Sequence, residues 1–383
     1  MKPINNKIWL SSPHMGGGEE QYVKQAFESN WIAPLGPNVT GFEEDLQKYL
    51  GSNSNVAVLS SGTAAIHLGL ILLGVKAGDE VLCQSMTFSA TANPIVYLGA
   101  TPIFIDSEKD TWNMSPAYLE EAIIDRISKK GEKPKVIILV HLYGMPAKMD
   151  EINAISKKYN IPILEDAAEA LGSSINEQNC GTFGELACLS FNGNKIITTS
   201  GGGALVAKDK RNTNYAIFLA TQARDFSPHY QHSQIGYNYR MSNVCAGIGR
   251  GQMEVLNRHI ALRRANFEFY RKGLGEVSSI SFLEEQKGYF SNRWLSVILV
   301  NPENGITRET IRLALDDENI ESRPLWKPMH LQPVFSNSPY YGAKISEELF
   351  NNGLCLPSGS NLQAEDLKRI VNVILEIFKK AKV

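Results

Sequence analysis

A lysine, an aspartate, a turn of small hydroxyl residues and one aromatic ring each sit at the end of a short apolar run. They are the residues of this chain that could do chemistry together. Ser61-Gly62-Thr63 follows Val56-Ala57-Val58-Leu59 and opens an apolar stretch. Small residues at a helix start leave backbone N–H groups free for a phosphate, and Thr63 adds a hydroxyl. Asp166 stands at the tip of another apolar run, Ile161-Pro162-Ile163-Leu164. A carboxylate there is costly unless a cation or donor meets it. Lys195 closes Ser190-Phe191-Asn192-Gly193-Asn194-Lys195, just ahead of Gly201-Gly202-Gly203. Small and polar neighbours suit a positioned amine. Phe88 offers a flat ring beyond Val81-Leu82-Cys83. Taken singly, each fits a plainer role: a capped turn, a helix N-cap, an exposed lysine, a core phenylalanine. Taken together, they are a phosphate turn, a partner for a protonated ring nitrogen, an amine and a stacking ring. That is the set pyridoxal phosphate requires.

Bringing four such groups together requires elements whose ends converge. From Val56 to about Val206, the short apolar runs also include Pro102-Ile103-Phe104-Ile105, Val136 to Val140 and Ala187-Cys188-Leu189. They are rich in Val and Ile and do not alternate, which suits strands buried on both faces of a mostly parallel sheet. Segments of helical period separate them, such as Pro116 to Lys129 with Leu119, Ala122, Ile123 and Ile127 on one face. In an open α/β sheet, ligands gather outside the carboxyl ends of the strands. A long helix is expected from Ser242, its N-cap, to about Leu274. Beyond it, Trp294 to Val300 reads as a strand, Thr307 to Glu318 as a helix and Gln363 to Lys379 as a terminal amphipathic helix. A helix is also expected from Gly18 to Ser29. The fold expected is α/β: a large cofactor domain with a mostly parallel sheet over residues 1–250, then a linking helix and a smaller C-terminal α+β domain over 251–383.

Composition narrows the function classes. The 383 residues carry 38 Lys plus Arg against 40 Asp plus Glu, and 43% are hydrophobic. A globular enzyme fits; a basic arm for nucleic acid or for an acidic membrane surface does not. The five cysteines are scattered and lack CxxC spacing, which reads as thiols in a reducing compartment. Met1 to Ser12 has no apolar core, and Ala65 to Val75 is interrupted by His67, Gly69 and Gly74. No signal peptide or membrane span is expected, and a cytoplasmic location follows. His229 and His232 lack a third ligand at matching spacing, so no metal is expected.

Four strings together resemble the sugar-nucleotide aminotransferases of fold type I: Ser61-Gly62-Thr63-Ala64-Ala65-Ile66-His67, Glu165-Asp166-Ala167-Ala168, Ser190 to Thr199, and Gly236-Tyr237-Asn238-Tyr239-Arg240. The resemblance spans nearly the whole chain, from Ser12-Pro13-His14-Met15 to Leu356-Pro357-Ser358-Gly359. Trp31-Ile32-Ala33-Pro34-Leu35-Gly36, Ser291-Asn292-Arg293-Trp294-Leu295 and Arg323 to His330 look most like the branch that aminates C4 of UDP-2-acetamido-2,6-dideoxy-hexos-4-uloses. The resemblance implies an aspartate aminotransferase-like fold and Lys195 as the Schiff-base lysine. It also implies Asp166 on the ring nitrogen, Phe88 on the ring, and Gly62, Thr63 and Ser190 at the phosphate. Asn238 would reach the neighbouring subunit's cofactor, which implies a homodimer with shared sites. Many relatives carry Gln or His where this chain has Glu169, near the cofactor's phenolic oxygen.

The activity so implied is a ping-pong transamination. L-glutamate leaves its amino group as pyridoxamine phosphate, and a nucleotide-linked keto sugar takes it up, with Lys195 as acid/base. Arg240, Arg293 and Arg323 are candidate partners for a carboxylate or diphosphate, and Trp31, Trp326 and His330 for base or sugar. Other nucleotide-linked keto sugars (dTDP- or GDP-linked, or aminated at C3) remain open, as does a non-catalytic regulatory protein. Related dehydratases replace the lysine with histidine, so Lys195 argues against that chemistry. A nicotinamide enzyme would need GxGxxG after a strand, whereas Gly247-Ile248-Gly249-Arg250-Gly251 falls inside the expected long helix.

Overall fold

A computed structural model of the chain describes residues 6–302 and 305–380. Of the leading segment Met1 to Ser12, residues 1–5 lie outside the described part. The strands, in chain order, are β1 Asn55–Leu59, β2 Glu80–Gln84, β3 Thr101–Ile105, β4 Val136–Val140, β5 Ile163–Asp166, β6 Ser174–Ile175, β7 Gln178–Asn179, β8 Leu186–Ser190, β9 Gly203–Ala207, β10 Ile280–Phe282, β11 Tyr289–Phe290, β12 Ser296–Val300, β13 Arg323–Pro324, β14 Tyr340–Tyr341 and β15 Gly353–Leu356.

Eight strands form the main sheet in the order β1-β9-β8-β5-β4-β2-β3-β14. From β8 to β14 all neighbours run parallel; β9 pairs antiparallel with both β8 and β1. β4 and β9 are buried along their whole length, as the unbroken apolar runs require. One face carries the helices Gly62–Leu72, Ser89–Tyr97 and Lys210–Ala220; the other carries Pro116–Lys130 and Met149–Tyr159. The helix Gly62–Leu72 is apolar nearly all round, because it packs against the sheet and against further helices at once. Ile66, Leu68 and Leu70 are fully buried there, and each contributes roughly 1.5–3 kcal/mol.

The long helix runs from Asn243 to Leu274, and the Ser242 hydroxyl accepts the Cys245 N–H as its cap. Its N-terminal half packs against the helices Glu19–Glu28 and Pro37–Leu50, which settles where the N-terminal segment lies. Gly249 explains the glycine-rich string there: a Cβ on it would sit 2.6 Å from the Phe42 ring. The C-terminal half of the long helix meets a second core. That core is built on the antiparallel sheet β10-β12-β15-β13 and the helices Arg308–Asp317 and Ala364–Lys380. Thr307 caps the first of these reciprocally with Thr310. The C-terminal half also reaches back: β14 adds a parallel edge to β3.

Two local expectations change. Residues 167–173 form turns rather than a helix, so Asp166 is not a helix N-cap. The strand read from Trp294 starts at Ser296, since Arg293 has φ +52° and turns the chain just before it.

Candidate active site

The carboxyl ends of β5 and β8, the turn after β1 and the loop through Lys195 enclose one cavity of about 460 Å³. Ser61, Gly62 and Thr63 line it at the start of the helix Gly62–Leu72. The Ser61 hydroxyl accepts the Ala64 N–H at 3.0 Å, while the Gly62 and Thr63 N–H groups have no partner within the helix. β9 closes on this turn from behind. A Cβ at Gly203 would lie 2.4 Å from the Gly62 nitrogen, so only glycine lets the strand approach. Ser190, the last residue of β8, adds a half-buried hydroxyl beside Gly62. The cradle is small-walled, rich in donors and set at a positive dipole end, which fits a phosphate.

Asp166 ends β5 and is 5% exposed. Thr91 donates its hydroxyl to one carboxylate oxygen at 2.5 Å, and the Ala168 N–H meets the other at 3.2 Å. These donors hold the carboxylate in place at the cavity, where a cationic ring N–H would complete its partners. Phe88 stands at the opening with 57% of its surface exposed, its ring 5.7 Å from that of Trp326.

The Lys195 amine lies opposite, its side chain 12% exposed. It donates to Glu169 Oε1 at 3.2 Å and rests 4.3 Å from the centre of the Trp294 ring. Glu169 is itself buried; its other oxygen accepts the Tyr143 N–H at 2.8 Å. Burial pushes Glu169 up to about 7, with the Lys195 ammonium pulling it back. Asn292 fixes the turn behind, donating to the carbonyls of Glu169 and Leu171 at 2.8 and 2.9 Å. A phosphate cradle, an anchored carboxylate, an open aromatic ring and a nearly enclosed amine thus face one volume, and pyridoxal phosphate fits it.

Gly62, Thr63, Phe88, Asp166, Glu169, Ser190, Lys195, Arg323 and Trp326 therefore come together around this cavity. Five expected site residues do not. Asn238 is exposed and outside it, on a bridge to Thr221. Trp31 lies beside the long helix, its carbonyl accepting from Asn243. Arg240 is spent on Glu43 and the Val58 carbonyl, at 2.6 and 2.8 Å. Arg293 is buried elsewhere, on the Leu283 carbonyl and the Phe267 ring. His330 bonds Ser85 at 2.7 Å and stacks on Tyr340. Sequence reasoning did not single out Thr91, Trp294, Asn292 or Glu321. Of these, Thr91 alone carried a local signal, standing four residues past Thr87 in the turn that holds Phe88.

Comparison with known proteins gives the family. Residues 13–375 match the model of the DegT/DnrJ/EryC1/StrS aminotransferase family. The chain is 50% identical over 384 residues to the "Putative pyridoxal phosphate-dependent aminotransferase EpsN" of Bacillus subtilis (strain 168), covering 99% of this chain and 98% of that one. It is 37% identical over 373 residues to the GDP-perosamine synthase of Escherichia coli O157:H7, covering 97% and 98%. Among solved structures, a DegT DnrJ EryC1 StrS aminotransferase from Brucella abortus superposes with a TM-score of 0.87 at 28% identity, over 94% of this chain and 95% of that one. The chain belongs to the DegT/DnrJ/EryC1/StrS aminotransferase family.

Proposed function

We propose that this member of the family is a pyridoxal phosphate-dependent transaminase that moves an amino group from L-glutamate to C4 of a nucleotide-linked 4-keto-6-deoxy sugar, a UDP-2-acetamido-2,6-dideoxy-hexos-4-ulose. One observation carries the reading: a nearly enclosed lysine amine and an anchored carboxylate face the same phosphate-fitting cavity. When bound, pyridoxal phosphate supplies an electron sink that stabilises negative charge at the carbon losing or gaining a proton.

The residues divide that work. Gly62, Thr63 and Ser190 hold the phosphate through N–H and hydroxyl donors. Asp166, fixed by the Thr91 hydroxyl, would pair with a protonated ring nitrogen, and Phe88 would cover the ring face. Lys195 would be the residue that holds the cofactor covalently, and its amine would serve as the acid/base that moves the proton at the substrate carbon. The Trp294 ring limits its solvation and Glu169 lies within proton reach, which suits an amine that must alternate between charged and neutral. Arg323 and Trp326 at the cavity wall receive the anionic and apolar parts of the substrates.

In this reading the enzyme is a homodimer with shared sites. Asn238, exposed and away from its own chain's cavity, serves the cofactor phosphate of the other subunit. Residues 1–250 form the cofactor domain, and 251–383 the linking helix and small domain. A cytoplasmic location accords with there being no helix, among the described residues, long and apolar enough to cross a membrane. Likeness to a GDP-perosamine synthase favours a second reading, in which the sugar is GDP-linked. Incubation with glutamate and a panel of UDP-, dTDP- and GDP-linked 4-keto sugars, followed by NMR at C4, decides between them. Amination of the UDP sugar alone supports the first reading; amination of the GDP sugar alone replaces it with the second.

A further inference from the structure

Arg263 is the least explained charge in the molecule. It lies on the long helix, is 1% exposed, and pairs with no carboxylate among the described residues. Its Nε finds no acceptor there either. Burying a guanidinium without a counter-ion costs several kcal/mol, so its other donors should have a use. They converge on the base of the Lys195 loop. Nη1 donates to the Trp294 carbonyl at 2.6 Å and to the Ser358 carbonyl at 3.3 Å; Nη2 donates to Ser11 Oγ at 3.0 Å and approaches the Lys195 carbonyl at 3.5 Å. The network then closes on itself. Ser11 Oγ and Trp294 Nε1 both donate to the Asn194 carbonyl, each at 2.7 Å.

We propose that Arg263 is a positioning residue for Lys195: from inside the core its planar fork fixes the lysine's backbone together with the indole that lies against the lysine amine. Both attachments act on one object. Trp294 sits far from Lys195 in sequence, yet its carbonyl is held by the guanidinium and its ring lies 4.3 Å from the amine. A lysine side chain left free has many rotamers to lose on being ordered. Fixing its root and one of its walls narrows the orientations the amine can take. The two Nη groups of the planar fork hold three carbonyls and the Ser11 hydroxyl in a set geometry that a lysine at 263 would not reproduce.

The inference rests on the reading of Lys195 as the residue that joins the cofactor. The test uses holoenzyme loaded with pyridoxal phosphate, and reads the visible circular dichroism of the bound cofactor, the single-turnover rate with glutamate and the KM for the keto sugar. For Arg263→Met we expect a retained visible absorbance band, circular dichroism reduced by about half, and a glutamate half-reaction about 10²-fold slower, since an ångström of misplacement costs that much. The sugar KM should stay within about twofold, because Arg263 does not line the cavity. Arg263→Lys should fall between the two. Ser11→Ala leaves the core intact and should move the same two signals in the same direction by a few-fold, which decides the matter if Arg263→Met does not fold. Combining Arg263→Met with Trp294→Phe should cost less than the sum of the single losses. Unchanged dichroism and rate in Arg263→Met or Ser11→Ala, a change confined to KM, or additive losses would each overturn the proposal. A Lys195→Ala variant that, loaded with pyridoxal phosphate, still gives a stoichiometric borohydride-trapped adduct on another lysine and turns over glutamate would instead sink the reading of Lys195 itself.

Discussion

The floor of the cavity and its wall are built on different terms. The floor comes from the main sheet: the turn after β1, Asp166 at the end of β5 and Ser190 at the end of β8. Each is placed by the end of its own strand, and the Gly62 and Thr63 N–H groups are left free to meet a ligand. The wall comes from the C-terminal half, where the Arg323 side chain is 68% exposed and forks onto Glu321. Trp326 packs with the rings of Phe88, Tyr143 and Trp294, at centroid separations of 5.3 to 6.3 Å. A floor set by strand ends suits a cofactor that stays bound through both half-reactions, and a more exposed wall suits two substrates that must take turns. The contrast should appear in kinetics as kcat effects from the floor and KM effects from the wall.

Lys195→Ala should have the largest effect, lowering turnover by on the order of 10³-fold or more through loss of the acid/base. It should still bind pyridoxamine phosphate. Steady-state assay and equilibrium binding check both, and an active variant would remove the lysine from its role. Asp166→Asn should lower kcat by about 10²-fold with KM little changed, as for a lost preorganised charge. A KM effect alone would blur the distinction between floor and wall. Arg323→Ala should raise KM for one substrate by about tenfold at near-normal kcat, as expected for one exposed charge-assisted contact. Which substrate responds tells whether the wall reads carboxylate or diphosphate.

Glu169 gives the smallest effect and the sharpest sign. Burial raises its pKa above the ordinary value of 4.5 to about 7 in the cofactor-free protein. A raised carboxyl pKa contributes stability that is fully present below 4.5 and is lost as pH rises through about 7. Melting temperatures of the cofactor-free wild type should therefore fall between those pH values more steeply than those of Glu169→Gln. Parallel slopes would mean that the Lys195 ammonium outweighs burial.

The floor was legible in the sequence because each part of it is a contiguous string. Leu59-Ser60-Ser61-Gly62-Thr63 and Leu189-Ser190 show strand, strand end and ligand residue side by side. The wall was not. Arg240 and Arg293 carry the charge a diphosphate would need, but sequence displays a charge without its partner; Glu43 and the Leu283 carbonyl had already taken them. Trp294 and Asn292 act on Lys195 and Glu169 across about a hundred residues, a relation that no local pattern encodes. Asp166 falls between the two cases: its place at a strand tip was readable, while the absence of a following helix depended on the Asn292 clamp across the turns behind it.

The central claim is that the Lys195 amine is the group that joins the cofactor. Borohydride reduction of the pyridoxal phosphate-loaded enzyme, followed by proteolysis and mass spectrometry of the lysine peptides, tests it directly. The account predicts a phosphopyridoxyl adduct on the peptide carrying Lys195 and on no other stoichiometrically. A stoichiometric adduct on a different lysine, or an unmodified Lys195 in an enzyme that has bound the cofactor, would contradict it.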